Sequence, residues 1–78
     1  MSTLDELKRI IAKIARCSKD KISLQTELKD IPADSLHWLQ IILGVENAFS
    51  IEIDIEKMRE ITTIEEFVEY IKSCSKKS

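Results

Sequence analysis

Glycine and proline are nearly absent from this chain: one of each stands among 78 residues. With apolar residues recurring at helical spacing, that scarcity predicts an all-α protein rather than a β-rich one. Histidine is equally rare. The single one, His37, stands two positions after Ser35, and two positions along a helix fall on different sides, which excludes a Ser–His–Asp arrangement. Glycine-rich phosphate loops are missing, and the acidic residues are scattered or lie in exposed runs such as Glu65-Glu66, with no apolar pocket to tune a carboxylate pair. An enzyme is therefore not expected. Cys17 and Cys74 have no zinc-type spacing with each other or with His37, so no metal site is expected. Two lone thiols suit a reducing compartment.

A surplus of positive charge is also lacking. Twelve Lys and Arg stand against 14 Asp and Glu, a net charge of −2, which is wrong for a protein that neutralises the phosphates of a nucleic acid. A helix-turn-helix reader would have to grip DNA with a helix whose ionisable groups are only His37 and Glu46. The longest apolar run, Ile41-Ile42-Leu43-Gly44-Val45, is far too short to cross a bilayer, and the N-terminus enters a charged amphipathic segment with no signal-like stretch. The expected location is cytoplasmic. A chain of this length forms one domain, here residues 1–74 with a polar tail at 75–78, and buries only about 60–65% of its unfolded surface. So thin a core leaves little room for a deep active site.

Three long helices and one short one can be placed. Thr3 with Glu6 has the spacing of a capping box, and Leu4, Leu7, Ile10, Ile11 and Ile14 make an apolar stripe to about Cys17. Residues 18–34 lack such a stripe but carry Ile22, Leu24, Leu28 and Ile31, which pin a long loop to the domain; loops of that length are usually functional or disordered. Pro32 pushes Ile31 out of helical geometry and helps to end the loop. The second helix spans about Ser35 to Phe49. At roughly 100° per residue, Trp38, Ile41, Ile42, Val45 and Phe49 share one face, while Leu36, Leu39 and Leu43 cluster on another, flanked by Gln40, Glu46 and Asn47. The aromatic face suits the core, and the leucines then form an exposed docking strip; the alternative is a central helix buried all round. Ile51-Glu52-Ile53-Asp54 alternates like a strand but has no partner, so it is an extended link. A short helical turn is expected over about Ile55 to Glu60. Thr63 with Glu66 then opens a last helix whose inward face holds Ile64, Phe67, Val68 and Ile71.

Asp34-Ser35-Leu36 is the most informative stretch, because it puts a hydroxyl where the long loop ends and the apolar helix begins. Unpaired N–H groups and the helix dipole favour an anion there, so a phosphate ester on Ser35 would be well placed. The ordinary alternative is that Asp34 and Ser35 only cap the helix.

Ala33-Asp34-Ser35-Leu36, the helix after it, Phe49-Ser50-Ile51-Glu52-Ile53, Ile61-Thr62-Thr63-Ile64 and Glu69-Tyr70-Ile71 together resemble the acyl carrier proteins of fatty acid and polyketide synthesis. The resemblance spans nearly the whole chain. It implies a four-helix bundle with three longer helices, one short helix and a long loop between the first two. In such a fold the first and last helices run in opposite directions, which separates Cys17 from Cys74 and disfavours an internal disulfide. It further implies that a phosphopantetheinyl transferase esterifies Ser35 with 4′-phosphopantetheine, whose thiol carries acyl thioesters between loading and using enzymes. Tethering raises the effective concentration of the intermediate at docked partners, and the chemistry belongs to them. Asp34 would cap the helix or help the transferase, and Leu36 would begin the docking face. Val45, Ile53, Met58, Ile61 and Phe67 would line a space sheltering the acyl chain, and a monomer is expected.

Several residues depart from the pattern common in that family. Glu46 is the only acidic residue between Ser35 and Ser50, His37 stands where an acid is usual, and Trp38 is bulky for its place. Gly44 weakens the helix by about 1 kcal/mol relative to Ala, and Met58 and Phe67 crowd the acyl space. These features imply a specialised carrier that docks dedicated partners through its leucines. Two alternatives remain at this stage: a D-alanyl or other aminoacyl carrier, and an unmodified carrier-like interaction subunit.

Overall fold

The computed structural model describes residues 2–75. Four α-helices carry them: α1 (Thr3–Ala15), α2 (Ser35–Phe49), α3 (Ile55–Met58) and α4 (Ile64–Ser75). Three are long and one is a single turn, as the apolar periodicity predicts. Among the described residues β-structure is limited to an isolated bridge between Glu27 and Thr63. Residues 76–78 of the expected polar tail lie outside the described residues, and Ser75 closes α4.

α1 starts one residue earlier in its capping than the Thr3–Glu6 spacing suggests. Ser2 is the cap, its hydroxyl accepting the Asp5 N–H at 3.1 Å, and the Glu6 carboxylate pairs with Arg9 on the next turn instead. The serine offers the same acceptor as the threonine, and Glu6 finds a cation where the capping box would have offered only an N–H. The helix ends at Ala15 rather than near Cys17. Arg16 takes a left-handed conformation with φ 58° and donates its N–H to Ala12, closing the last turn as a C-terminal cap does.

The core lies where α1, α2 and α4 meet. Leu7 and Ile11 from α1, Ile41 and Val45 from α2, and Ile64, Phe67 and Ile71 from α4 are fully buried, each contributing about 1.5–3 kcal/mol by leaving water. Gly44 faces α1 at short range: a Cβ there would stand 3.2 Å from Ile10 Cγ2. The propensity lost by a mid-helix glycine is thus set against a tighter interhelical contact.

The long loop is held at its apolar pins and along its backbone. Ile22 and Ile31 are buried, and Leu24 and Leu28 pack on the core. Leu28 N–H donates to Thr62 O at 2.8 Å, while Thr26 O and Leu24 O accept from Ile64 N–H at 2.9 Å and Glu65 N–H at 3.0 Å. Those carbonyls satisfy first-turn donors of α4 that no intrahelical partner can reach. The Thr63–Glu66 capping box forms as its spacing predicts, with Glu66 N–H on Thr63 Oγ1 at 3.2 Å and Thr63 N–H on Glu66 Oε1 at 3.3 Å.

Ser50, at φ 55°, ends α2, and residues 51–54 form the expected extended link. Asp54 caps α3 through Glu56 N–H at 2.9 Å. α3 stops at Met58, short of the expected Glu60, because Glu60 N–H and Ile61 N–H reach back only three residues, to Lys57 O and Met58 O at 3.0 and 3.1 Å, tightening the turn out of α-geometry.

Candidate functional site

The start of α2 is capped from both directions. The Asp34 carboxylate accepts His37 N–H at 2.9 Å, and His37 Nδ1 accepts Asp34 N–H at 3.3 Å. Here an imidazole completes a capping box that usually closes with Glu or Gln. His37 is therefore a partner of the cap while its side chain stays 42% exposed; its place at the third helical position was the available signal. The Asp34 carboxyl is held below its ordinary value chiefly by the His37 N–H it accepts, with burial opposing and the nearby imidazole assisting.

With both capping roles filled, the Ser35 hydroxyl is left over. Ser35 is the first residue of α2 and exposed, and among the described residues its Oγ has no hydrogen-bond partner. A hydroxyl at an open helix start is accessible to an incoming phosphate and needs no native bond to be broken. The site therefore fits a phosphate-linked arm, whereas a serine serving as the cap would have been occupied.

One recess adjoins that hydroxyl and a second lies beside the first, sharing Trp38, Ile42, Ile55 and Arg59 with it. The outer one, about 690 Å³, is bounded by Asp34 and Ser35 at one side and by Trp38, Leu39, Ile55 and Arg59. The inner one, about 300 Å³, is lined by Leu28, Trp38, Ile42, Ile55, Met58 and Ile61, with Lys29 and Arg59 as its charged members. Of the five residues expected to line an acyl space, Met58 and Ile61 line this second recess. Val45, Ile53 and Phe67 do not; Val45 and Phe67 are fully buried and Ile53 is 9% exposed, all within the core. Their side chains are members of the packed core itself. Trp38, Ile42 and Leu28 take their place because each is only partly buried against the core and turns a flank to the α2–α3 groove.

The leucine strip is open. Leu36, Leu39 and Leu43 are 62%, 53% and 59% exposed, and Ile55 of α3 adds to the same class at 45%. Gln40 and Asn47 beside them are exposed. Glu46 has a different place: its Oε2 accepts Ile53 N–H at 2.8 Å, so this carboxylate fastens the link to α2 instead of standing free beside the leucines. Cys17 and Cys74 are free thiols in separate recesses, and Cys74 Sγ donates to Glu52 O at 3.8 Å. Among the described residues no helix is long and apolar enough to cross a membrane.

A family model described as the phosphopantetheine attachment site matches residues 5–71. The chain is 36% identical over 70 residues to a chloroplastic acyl carrier protein of Brassica napus, covering 88% of this chain and 52% of the relative. It is 34% identical over 73 residues to the acyl carrier protein of Buchnera aphidicola subsp. Schizaphis graminum, covering 92% of each. The chain thus spans about half the length of the plant relatives it matches.

Proposed function

Because this chain belongs to the acyl carrier proteins, a family of phosphopantetheine-bearing carriers rather than enzymes, we propose that Ser35 is its attachment residue and that the arm carries acyl thioesters in fatty acid or related lipid biosynthesis. The observation that carries this assignment is the unpartnered Ser35 hydroxyl beside a cap that Asp34 and His37 complete without it. Asp34 fixes the helix start, so that the serine is presented at a rigid end. A transferase would move the phosphopantetheinyl group from coenzyme A onto Ser35 Oγ: the new P–O bond forms as the pyrophosphate bridge breaks, adenosine 3′,5′-bisphosphate leaves, and the serine proton goes to the transferase or solvent. No base within this chain is needed. When bound, the arm supplies the thiol that holds the acyl group.

The surface follows the same logic. Leu36, Leu39 and Leu43 with Gln40 and Asn47 present an apolar strip with a polar margin next to Ser35, suited to loading and using enzymes that approach the arm. Glu46 contributes to that surface indirectly, by holding the link. The protein acts as a cytoplasmic monomer in this scheme, its folded carrier unit spanning residues 1–74.

Intact mass before and after incubation with coenzyme A, magnesium and a promiscuous phosphopantetheinyl transferase tests the assignment. The expected result is a gain of one phosphopantetheine that Ser35→Ala abolishes. No gain by folded protein with several transferases would remove it and favour an unmodified interaction subunit.

A further inference from the structure

We propose that Arg59 is a positioning residue for the arm, pairing with the phosphate that esterification places on Ser35. This rests on Ser35 as the attachment residue. Arg59 follows the single turn of α3, and it lines the same outer recess as Asp34 and Ser35. Among the described residues it is the only cation in that lining, and Asp34 is the only anion. Esterification of Ser35 sets a second negative charge, the phosphodiester, next to the Asp34 carboxylate. Two like charges so placed repel unless a cation joins them.

Other positive groups at the helix start are partly spent. The Asp34 carboxylate already takes His37 N–H at 2.9 Å. His37 Nδ1 accepts Asp34 N–H at 3.3 Å, and an imidazole nitrogen that accepts carries no proton. Arg59 is loosely held by comparison. Its guanidinium stands 3.7 Å from Glu56, with the two side chains 74% and 78% exposed, and exposed pairs of this kind are weak. A planar fork of donors matches two phosphate oxygens at once, so the phosphodiester competes well with that carboxylate. Lys57 of the same helix lines a different recess, with Tyr70 and Cys74, which makes it a control of equal charge.

The test compares thermal unfolding midpoints of the unmodified and the phosphopantetheinylated protein, each verified by intact mass, for the native chain, Arg59→Gln, Arg59→Lys and Lys57→Gln. Relative to the native chain, Arg59→Gln should lower the midpoint of the modified protein by about 1–8 °C more than that of the unmodified one. Arg59→Lys should fall between the two, and Lys57→Gln should change both forms equally. The extra loss in Arg59→Gln should fade in about 1 M salt, where the screening length is about 3 Å. In isotope-labelled native protein the Nε–Hε resonance of Arg59 should move on modification, while those of Arg9 and Arg16 stay in place. If Arg59→Gln does not fold, Arg59→Lys and the Nε–Hε resonance carry the test. Equal losses in modified and unmodified protein, an Arg59 resonance that modification leaves in place, or a Lys57→Gln variant that behaves like Arg59→Gln would each overturn the proposal. Failure of the arm to attach removes the Ser35 assignment and this proposal together, while attachment without the Arg59-dependent difference removes this proposal alone.

Discussion

At the scale of single residues, the helix start beside Ser35 is the most sensitive feature, because three neighbours divide its hydrogen bonding. Asp34 and His37 exchange side-chain and backbone bonds, and Ser35 keeps a free hydroxyl. The Asp34 carboxyl lies below its ordinary value of 3.8 in the folded protein, mainly through the His37 N–H. A carboxylate depressed in this way contributes its full stabilisation above the unfolded value and loses it as pH falls through the folded one. Urea-unfolding midpoints measured from neutral pH into acid should therefore decline more steeply for the native chain than for Asp34→Asn, which keeps a capping acceptor but cannot titrate. A difference between the two that stays constant below pH 3.8 would show that the charged form is not what caps the helix. His37→Ala should lower stability by about 0.5–1 kcal/mol through loss of one half of the box, and His37→Gln should restore most of it, since an amide oxygen accepts the same N–H. Equal loss in both variants, read by denaturant titration, would mean that the imidazole matters for packing instead.

At the scale of elements, the link at residues 51–54 decides how α3 sits against α2, and thus the shape of both recesses. Two side chains from different helices fix it: Glu46 takes Ile53 N–H and Tyr70 Oη takes Asp54 N–H, each at 2.8 Å. Glu46→Ala would leave a part-buried N–H without its acceptor, at a cost of about 1–3 kcal/mol, and Glu46→Gln should recover most of that loss. Amide exchange at Ile53 should accelerate in the alanine variant and return near its native rate in the glutamine one; unchanged exchange in both would show that the link is held by packing alone. The helices themselves were legible in the sequence, since their apolar stripes and the Thr63–Glu66 box are local signals. Ser35 and the exposed leucines could be read for the same reason. Glu46 could not, because its partner seven residues away depends on how the chain turns at Ser50, a non-glycine residue at positive φ that no propensity rule selects. The lining of the inner recess was legible only in part, for it depends on which flank of the half-buried Trp38 and Ile42 faces α3.

At the scale of the whole molecule, charge and apolar surface are arranged unlike a carrier that recruits partners by electrostatic attraction. The net charge is only −2, α2 has no acidic residue in its first turn, and its one carboxylate is engaged with Ile53. What α2 offers instead is the row of Leu36, Leu39 and Leu43, each more than half exposed. Substituting Leu39 or Leu43 by glutamate should leave stability within about 0.5 kcal/mol, because surface changes rarely do more. Transfer of an acyl group between the loaded carrier and a cognate enzyme should nevertheless fall at least about tenfold, as burying a leucine is worth about 1.5–3 kcal/mol. Ionic strength then separates apolar docking from charge attraction. Raising it from about 0.01 to 0.15 M shortens the screening length from about 30 to 8 Å, which sharply slows electrostatically steered association. For this protein the KM for the carrier should change by less than about twofold over that range, while the leucine variants keep their full defect at both ends. A steep rise in KM with salt would place the partner's grip on charges outside α2, and an unaffected KM in Leu39→Glu would remove the leucine strip as the contact.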